Sequence, residues 1–233
     1  MTAYGRPTVV SGGRLETLVL WVGFPLAGGA VGAVLAAGAG WVAGLSWAPA
    51  QGLFRMVDRM PDQQALAAGV AVGVLAGLVF GALGAADQVV VEVAVDRVRV
   101  RRGGKEREFA RRDVQVAYRD GKELVLLGAD DEELLRQRSD LSGADLAGAF
   151  REHGWPWADD DPHRAAYRLW VPELPGLPPG ADALLKARQK AMDDDRGKEA
   201  GELRTELARY GVVVRDEGGR QHWRLTRSAM PGQ

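Results

Sequence analysis

Two stretches of the chain carry no charge at all, Thr17 to Phe54 and Gln63 to Ala86. A bilayer core of about 30 Å needs roughly 20 apolar residues in a helix, so each run is long enough to cross one. The pattern predicts a first span over about Leu18 to Leu45, with Trp21, Trp41 and Trp47 at interfacial positions and Pro25 as a kink. A second span follows over about Gln64 to Ala86. A cleaved signal peptide behind Arg6 and Arg14 is the competing reading of the first run. That run is far longer than the roughly 7–15 apolar residues of such a peptide, and a second span comes after it. Between the spans Leu53, Phe54, Val57 and Met60 fall at helical spacing, which suits either a short interfacial helix or an ordinary loop.

After Asp87 the period changes to two. The stretch QVVVEVAVDRVRVRRGG alternates at Val91, Val93 and Val95, then resumes at Val98 and Val100 after a shift at Asp96 and Arg97. Gly103-Gly104 makes a turn, EREFARRDVQVAYRDG supplies one or two more strands, and KELVLLG follows Gly121. Leu141, Ala144, Leu146, Ala149 and Phe150 give one apolar face to a helix over about Leu141 to His153, with Asp140 or Ser142 as its cap. Short antiparallel strands followed by a helix predict a small half-open β-barrel closed by that helix.

The organisation expected is an α+β membrane protein: a transmembrane hairpin over 1–87, the small β-barrel domain over 88–157, a Pro-rich linker over 158–181, a small helical domain with a β-hairpin over 182–227, and a tail over 228–233. Pro156, Pro162, Pro172, Pro175, Pro178 and Pro179 interrupt helix and sheet around the linker. Tyr167, Leu169, Trp170 and Val171 within it are expected to dock on the barrel.

Small residues recur at every fourth position of both spans: Gly28, Gly32, Ala36, Gly40 and Gly44 in the first, Gly69, Gly73, Gly77 and Gly81 in the second. Glycine costs roughly 1 kcal/mol relative to alanine in a soluble helix, so the spacing is a poor choice for water. In lipid, small faces let helix backbones approach and gain dispersion contacts. Two such faces suit a tight hairpin within one chain, or a seam between copies in a homo-oligomer. The chain is rich in Ala, Gly, Val and Arg, so composition alone contributes to the pattern. Neither span carries an ionisable residue in its interior, which argues against a pump or transporter.

Charge orients the spans. Arg6 and Arg14 precede them and Arg97, Arg99, Arg101, Arg102 and Lys105 follow, whereas Arg55 and Arg59 of the connecting loop are accompanied by Asp58 and Asp62. The positive-inside rule then places both termini in the cytoplasm of a two-pass inner-membrane protein. A net charge of -1 gives no global basic excess for nucleic acid, and the absence of cysteine removes disulfides, thiolate catalysis and Cys-based zinc sites.

The strand series from Val89 to Leu127, the turn Arg119-Asp120-Gly121-Lys122 and the helix ending in Phe150-Arg151-Glu152-His153-Gly154-Trp155-Pro156-Trp157 look like bacterial pleckstrin-homology-type domains attached to transmembrane hairpins. With the two spans and the tail, the chain resembles the YqeB-type family of uncharacterised bacterial membrane proteins. The tail is itself similar to the small C-terminal domain of cysteinyl-tRNA synthetases. Arg188, Ala191, Ala200, Leu203, Arg204, Leu207, Gly211, Val212, Asp216, Gly219, Trp223 and Arg224 fit that pattern in order and spacing. The resemblance implies recognition of tRNA near the anticodon. Two departures weaken it: Asp195-Arg196 reverses the usual charge pair, and Gly201 stands where an aspartate is usual. Asp193, Asp194 and Asp195 make that corner repel phosphate.

Candidate chemistry is sparse. His153, His163 and His222 lie in separate units, no Ser/His/Asp or paired-carboxylate arrangement has a supporting context, and the Asp159-Asp160-Asp161 run lacks a partner cluster for a metal. The reading is therefore of a non-enzymatic membrane protein, with no cofactor or metal, that presents cytoplasmic docking modules to an unidentified protein partner. Arg97, Arg99, Arg101 and Arg102 are candidates for contact with anionic lipid, although a charged strand edge also serves simply to prevent association. The alternative is a membrane-tethered RNA-binding protein that uses Arg188, Arg204, Trp223 and Arg224, the same residues being candidates for protein contact.

Overall fold

A computed structural model describes residues 6–39 and 61–230. They form two compact units. One is built from the described parts of 11–91 together with Val100–Arg107; the other collects the strand ahead of residue 11, Glu92–Arg99 and the chain from Glu108 onward.

The first unit holds two helices long and apolar enough to cross a membrane, Leu15–Ala37 and Asp62–Ala86. The first is α-helical over Arg14–Leu18, widens into a π-helical turn at Val19–Gly23, and is α-helical again over Phe24–Ala37. Pro25, which has no amide hydrogen to give, sits at the start of the second α segment, directly after the widened turn. The two helices run antiparallel, Gly32 facing Gly69 at one end of the contact and Leu20 facing Gly81 at the other. Gly40, Gly44, Trp41 and Trp47, and the segment from Leu53 to Met60, lie outside the described residues.

Among the described residues, eleven strands follow one another along the chain. β1 (Thr8–Val10), β2 (Val90–Val93), β3 (Arg97–Arg102) and β4 (Lys105–Ala110) make one four-stranded sheet in that order. β5 (Val116–Asp120), β6 (Glu123–Leu127), β7 (Glu133–Arg138) and β8 (Trp157–Ala158) make a second, ordered β7-β6-β5-β8. The period-two reading holds locally: Val91, Val93, Val98 and Val100 are buried, while Glu92 and Arg99 point outward. Val95 is exposed, because the chain already turns at Ala94, whose amide donates to the Arg97 carbonyl.

The strands and the following helix expected of a half-open barrel are present. Among the described residues these strands form two separate sheets rather than a closed barrel. β4 is an edge strand carrying exposed Lys105, Glu106, Arg107 and Glu108, and charged edges of this kind resist further pairing. A further strand that the periodicity does not predict, β1, lies ahead of the first span. It consists of β-branched residues and pairs with β2, and Thr8 Oγ1 donates to Glu152 at 3.0 Å and lies 2.9 Å from His153 Nε2. The two apolar helices are thus an insertion between neighbouring strands of one sheet.

The helix predicted near 141–153 runs over Gly143–Glu152, and Ser142 rather than Asp140 caps it, its side chain accepting from the Asp145 amide. Leu146, Ala149 and Phe150 are buried, with Ala147 in place of the exposed Ala144. Phe150 meets Trp155 edge-on at 6.0 Å and Trp157 at 5.3 Å.

The proline-rich stretch is tied into the sheets at its start and near its middle. β8 pairs parallel with β5, and β9 (Arg168–Leu169) pairs with β11 (Arg220–Leu225). Beyond it, helices Ala181–Asp193 and Gly197–Arg209 and the hairpin of β10 (Val212–Glu217) and β11 (Arg220–Leu225) enclose a core of Ala181, Leu185, Leu207, Val212, Val214 and Trp223, with Trp170 and Leu177 packed against it. Trp170 therefore packs into the tail rather than the strand domain, and its indole N–H donates to Asp182 at 2.9 Å. Gly211, with φ of 69°, turns the chain from the second helix into β10.

Candidate interaction surfaces

The small-residue faces of the two long helices meet each other. A Cβ on Gly28 would overlap the Gly73 carbonyl oxygen, one on Gly73 the Gly28 carbonyl, and one on Gly32 the Gly69 carbonyl. Gly77 lies equally close to the Phe24 carbonyl, Gly81 to that of Leu20, and Ala36 sits against Gly69. Backbone approach at this distance is open only to glycine. The side chains of Leu26, Val31, Val34, Leu75, Val79 and Phe80 point away from the seam and are exposed.

Three of the four tail residues considered for RNA or partner contact are turned inward. Arg188 is 4 % exposed and donates two hydrogen bonds of 2.7 Å to the carboxylate of Asp216 and one of 2.8 Å to Gln221. Burial pushes the Asp216 carboxyl up, but the Arg188 hydrogen bonds and charge outweigh it and hold the group below the usual carboxylate range. Trp223 is in the tail core, and Arg224, 3 % exposed, donates to the Asp131 carbonyl at 2.7 Å. Arg204, partly exposed, donates to the Val214 carbonyl and lies 3.5 Å from Glu133.

These contacts belong to a larger network that joins the tail to the face of β5, β6 and β7. Arg136 on β7, 6 % exposed in its side chain, pairs with Glu133 at 2.7 Å, Glu123 at 2.6 Å and Asp120 at 2.9 Å. Burial disfavours its charge, yet Glu133, Glu123 and Asp120 overcome that and keep the guanidinium firmly protonated. Arg215 of β10 reaches Asp120 at 3.1 Å, and Arg227 reaches the Asp131 carboxylate at 3.2 Å. Tyr167 lies under both Arg215 and Arg224, 5.9 and 5.5 Å from their guanidinium carbons. The sequence marks Asp120 as part of a turn but singles out neither Arg136 nor Glu133 and Glu123. The signal was the period of β7, which puts Arg136 on the opposite face from the buried Leu135, but only strand register brings it to Asp120 and Glu123.

The basic strip is unevenly committed. Arg97 pairs with Asp96 at 3.5 Å, and Arg99 with Glu108 at 2.5 Å and Glu92 at 3.7 Å. Arg102 forks onto Asp87 with bonds of 3.2 and 3.0 Å, and its hydrogen bond and charge hold that carboxyl below the usual range. Arg101 is exposed and has no ion pair among the described residues. No group of acidic, histidine or cysteine side chains suited to a metal occurs among them either.

Comparison with known proteins agrees with this layout. Residues 8–158 match the model of the YqeB-like bacterial PH domain, a match that begins at β1 and includes the inserted helices. Residues 174–224 match that of the cysteinyl-tRNA ligase anticodon binding domain. Over 225 residues the chain is 34 % identical to the uncharacterized protein YqeB of Bacillus subtilis, covering 96 % of this chain and 94 % of that one. No solved structure matches. An N-terminal strand, an inserted pair of apolar helices, a strand-and-helix domain and an anticodon-binding-like tail place the chain in the YqeB-like family.

Proposed function

We propose that the protein is a non-enzymatic, two-pass protein of the bacterial inner membrane that holds a pleckstrin-homology-like domain and its attached tail in the cytoplasm as a docking platform for a protein partner, next to the lipid surface. The observation that carries this reading is the glycine seam. Helices that expose Leu, Val and Phe on their outer faces while packing through bare backbone suit lipid far better than water. With the two faces occupied by each other, a homo-oligomer has to use other surfaces. Both described helix ends that lead into the sheet lie at the same end of the hairpin, which fits termini on one side. Reporter fusions after Gln51 and after Gln233 test the topology: an external signal at the first and a cytoplasmic one at the second are expected, and an external C-terminus overturns the placement.

The tail's match to an anticodon-binding domain supports a second reading, contact with RNA. The burial of Arg188, Trp223 and Arg224 leaves that role to exposed cations such as Lys186 and Arg220. Titration of the full chain with tRNA across salt concentrations decides it. A steep loss of affinity with salt supports RNA, and no binding at low salt removes it.

A further inference from the structure

We propose that the tail is a releasable cap: its arginines close in cis on an acidic face of the strand domain, and RNA competes with that face for them. This deepens the RNA reading and rests on it. Arg215 of β10 reaches Asp120 of β5 at 3.1 Å, and Arg204 of the second tail helix reaches Glu133 of β7 at 3.5 Å. In the turn between β6 and β7, Asp131 takes Arg227 on its carboxylate at 3.2 Å and Arg224 on its carbonyl at 2.7 Å. Beside it the Arg227 amide donates to the Asp130 carbonyl at 2.9 Å. Acidic residues of one module thus occupy the cations that a phosphate backbone would otherwise take.

What crosses this junction is polar. The tail core of Leu185, Leu207, Val214 and Trp223 is completed by Trp170 and Leu177, while Tyr118, Val125 and Leu127 pack with Val116 and Ala158. Neither cluster includes a residue of the other. Modules joined through charge rather than a shared apolar core can part without unfolding. The closed arrangement is also imperfectly satisfied. Asp131, its hub, is a buried residue other than glycine at φ of 62°, a form of strain found at switch regions. The Tyr118 hydroxyl, Arg204 Nε and Arg224 Nε are buried with no hydrogen-bond partner among the described residues, and opening lets water reach them. Arg188 and Asp216 both belong to the tail, so their pair survives release. Release then adds Arg204, Arg215, Arg224 and Arg227 to the exposed Lys186 and Arg220.

The chain has no cysteine, so one engineered pair can lock the junction. Asp130→Cys with Arg227→Cys joins positions whose backbones are already hydrogen-bonded, a proximity that suits a disulfide. Binding of tRNA to the full chain in detergent at low salt is compared between the oxidised and reduced forms of this one variant. With the crosslink confirmed by mass, the oxidised form should bind about tenfold more weakly than the reduced form. Asp131→Asn keeps the carbonyl and tolerates the left-handed backbone but takes the charge away from Arg227. It should bind tRNA about threefold more tightly than the parent, with hydrogen exchange over Gly143–Glu152 unchanged. A pair that does not oxidise, equal affinity of the locked and unlocked forms, or an Asp131→Asn chain that binds no more tightly than the parent sinks this inference alone. Absence of tRNA binding in the parent, the reduced pair and Asp131→Asn alike removes the RNA reading and this inference with it.

Discussion

Arg188, on the first tail helix, grips both carboxylate oxygens of Asp216, on β10, with hydrogen bonds of 2.7 Å, so a cation that sequence similarity associates with RNA is spent inside the domain. Removing one partner of such a buried pair leaves an uncompensated charge or unsatisfied donors. Arg188→Ala should destabilise the tail by about 3 kcal/mol. Hydrogen exchange of the full chain is expected to show faster exchange across β10 and β11, with Ala181–Asp193 following and the Gly143–Glu152 helix unchanged.

The same pair predicts a pH response. Asp216 is held below its ordinary value in the folded chain, so its contribution is fully present above the unfolded carboxylate pKa of about 3.9 and is lost as pH falls through the lower folded value. Protection of β10–β11 should therefore drop below about pH 4. In Asp216→Asn the tail starts less stable and that part of the acid dependence disappears. An unchanged acid profile in the variant would contradict the assignment.

Arg136 is the common partner of Glu133, Glu123 and Asp120. Arg136→Met leaves three carboxylates facing one another in a mostly buried site, a loss of about 3–5 kcal/mol. Arg136→Lys should recover only part of it, since an ammonium cannot fork onto Glu133 as the guanidinium does. Thermal unfolding of the purified full chain ranks the three proteins, and a Lys variant equal to the parent would show that fork geometry is unimportant.

At the seam, Gly73→Leu or Gly77→Leu forces a side chain into the facing backbone at Gly28 or Phe24. Overpacking of this kind costs roughly 1–3 kcal/mol, and more where the obstacle is backbone. The helices should separate, seen as faster exchange within Asp62–Ala86 and lower heat resistance in detergent. The tail and the β5–β7 sheet should keep their protection. Ala76→Leu, on the exposed side of the same helix, is the control and should be silent.

Much of this protein could be read locally. Uncharged runs of spanning length, glycine at every fourth position, alternation at Val91 and Val93 or Val98 and Val100, the Ser142 cap and the order of tail residues from Arg188 to Arg224 are all set by near neighbours in the chain, because helix and strand periods are local properties. What the tertiary structure alone decided depends on pairings between distant segments. Thr8–Val10 is too short to announce itself as a strand until β2, some eighty residues later, supplies its partner. The grouping of the strands into two four-stranded sheets follows from which edges find partners. Whether an arginine faces solvent or a carboxylate depends on where that carboxylate lies. Arg188 and Arg101 look alike in sequence, yet one is closed onto Asp216 while the other stands exposed beside the turn at the end of a membrane-length helix, because charge is a property of the residue and its availability is a property of the fold.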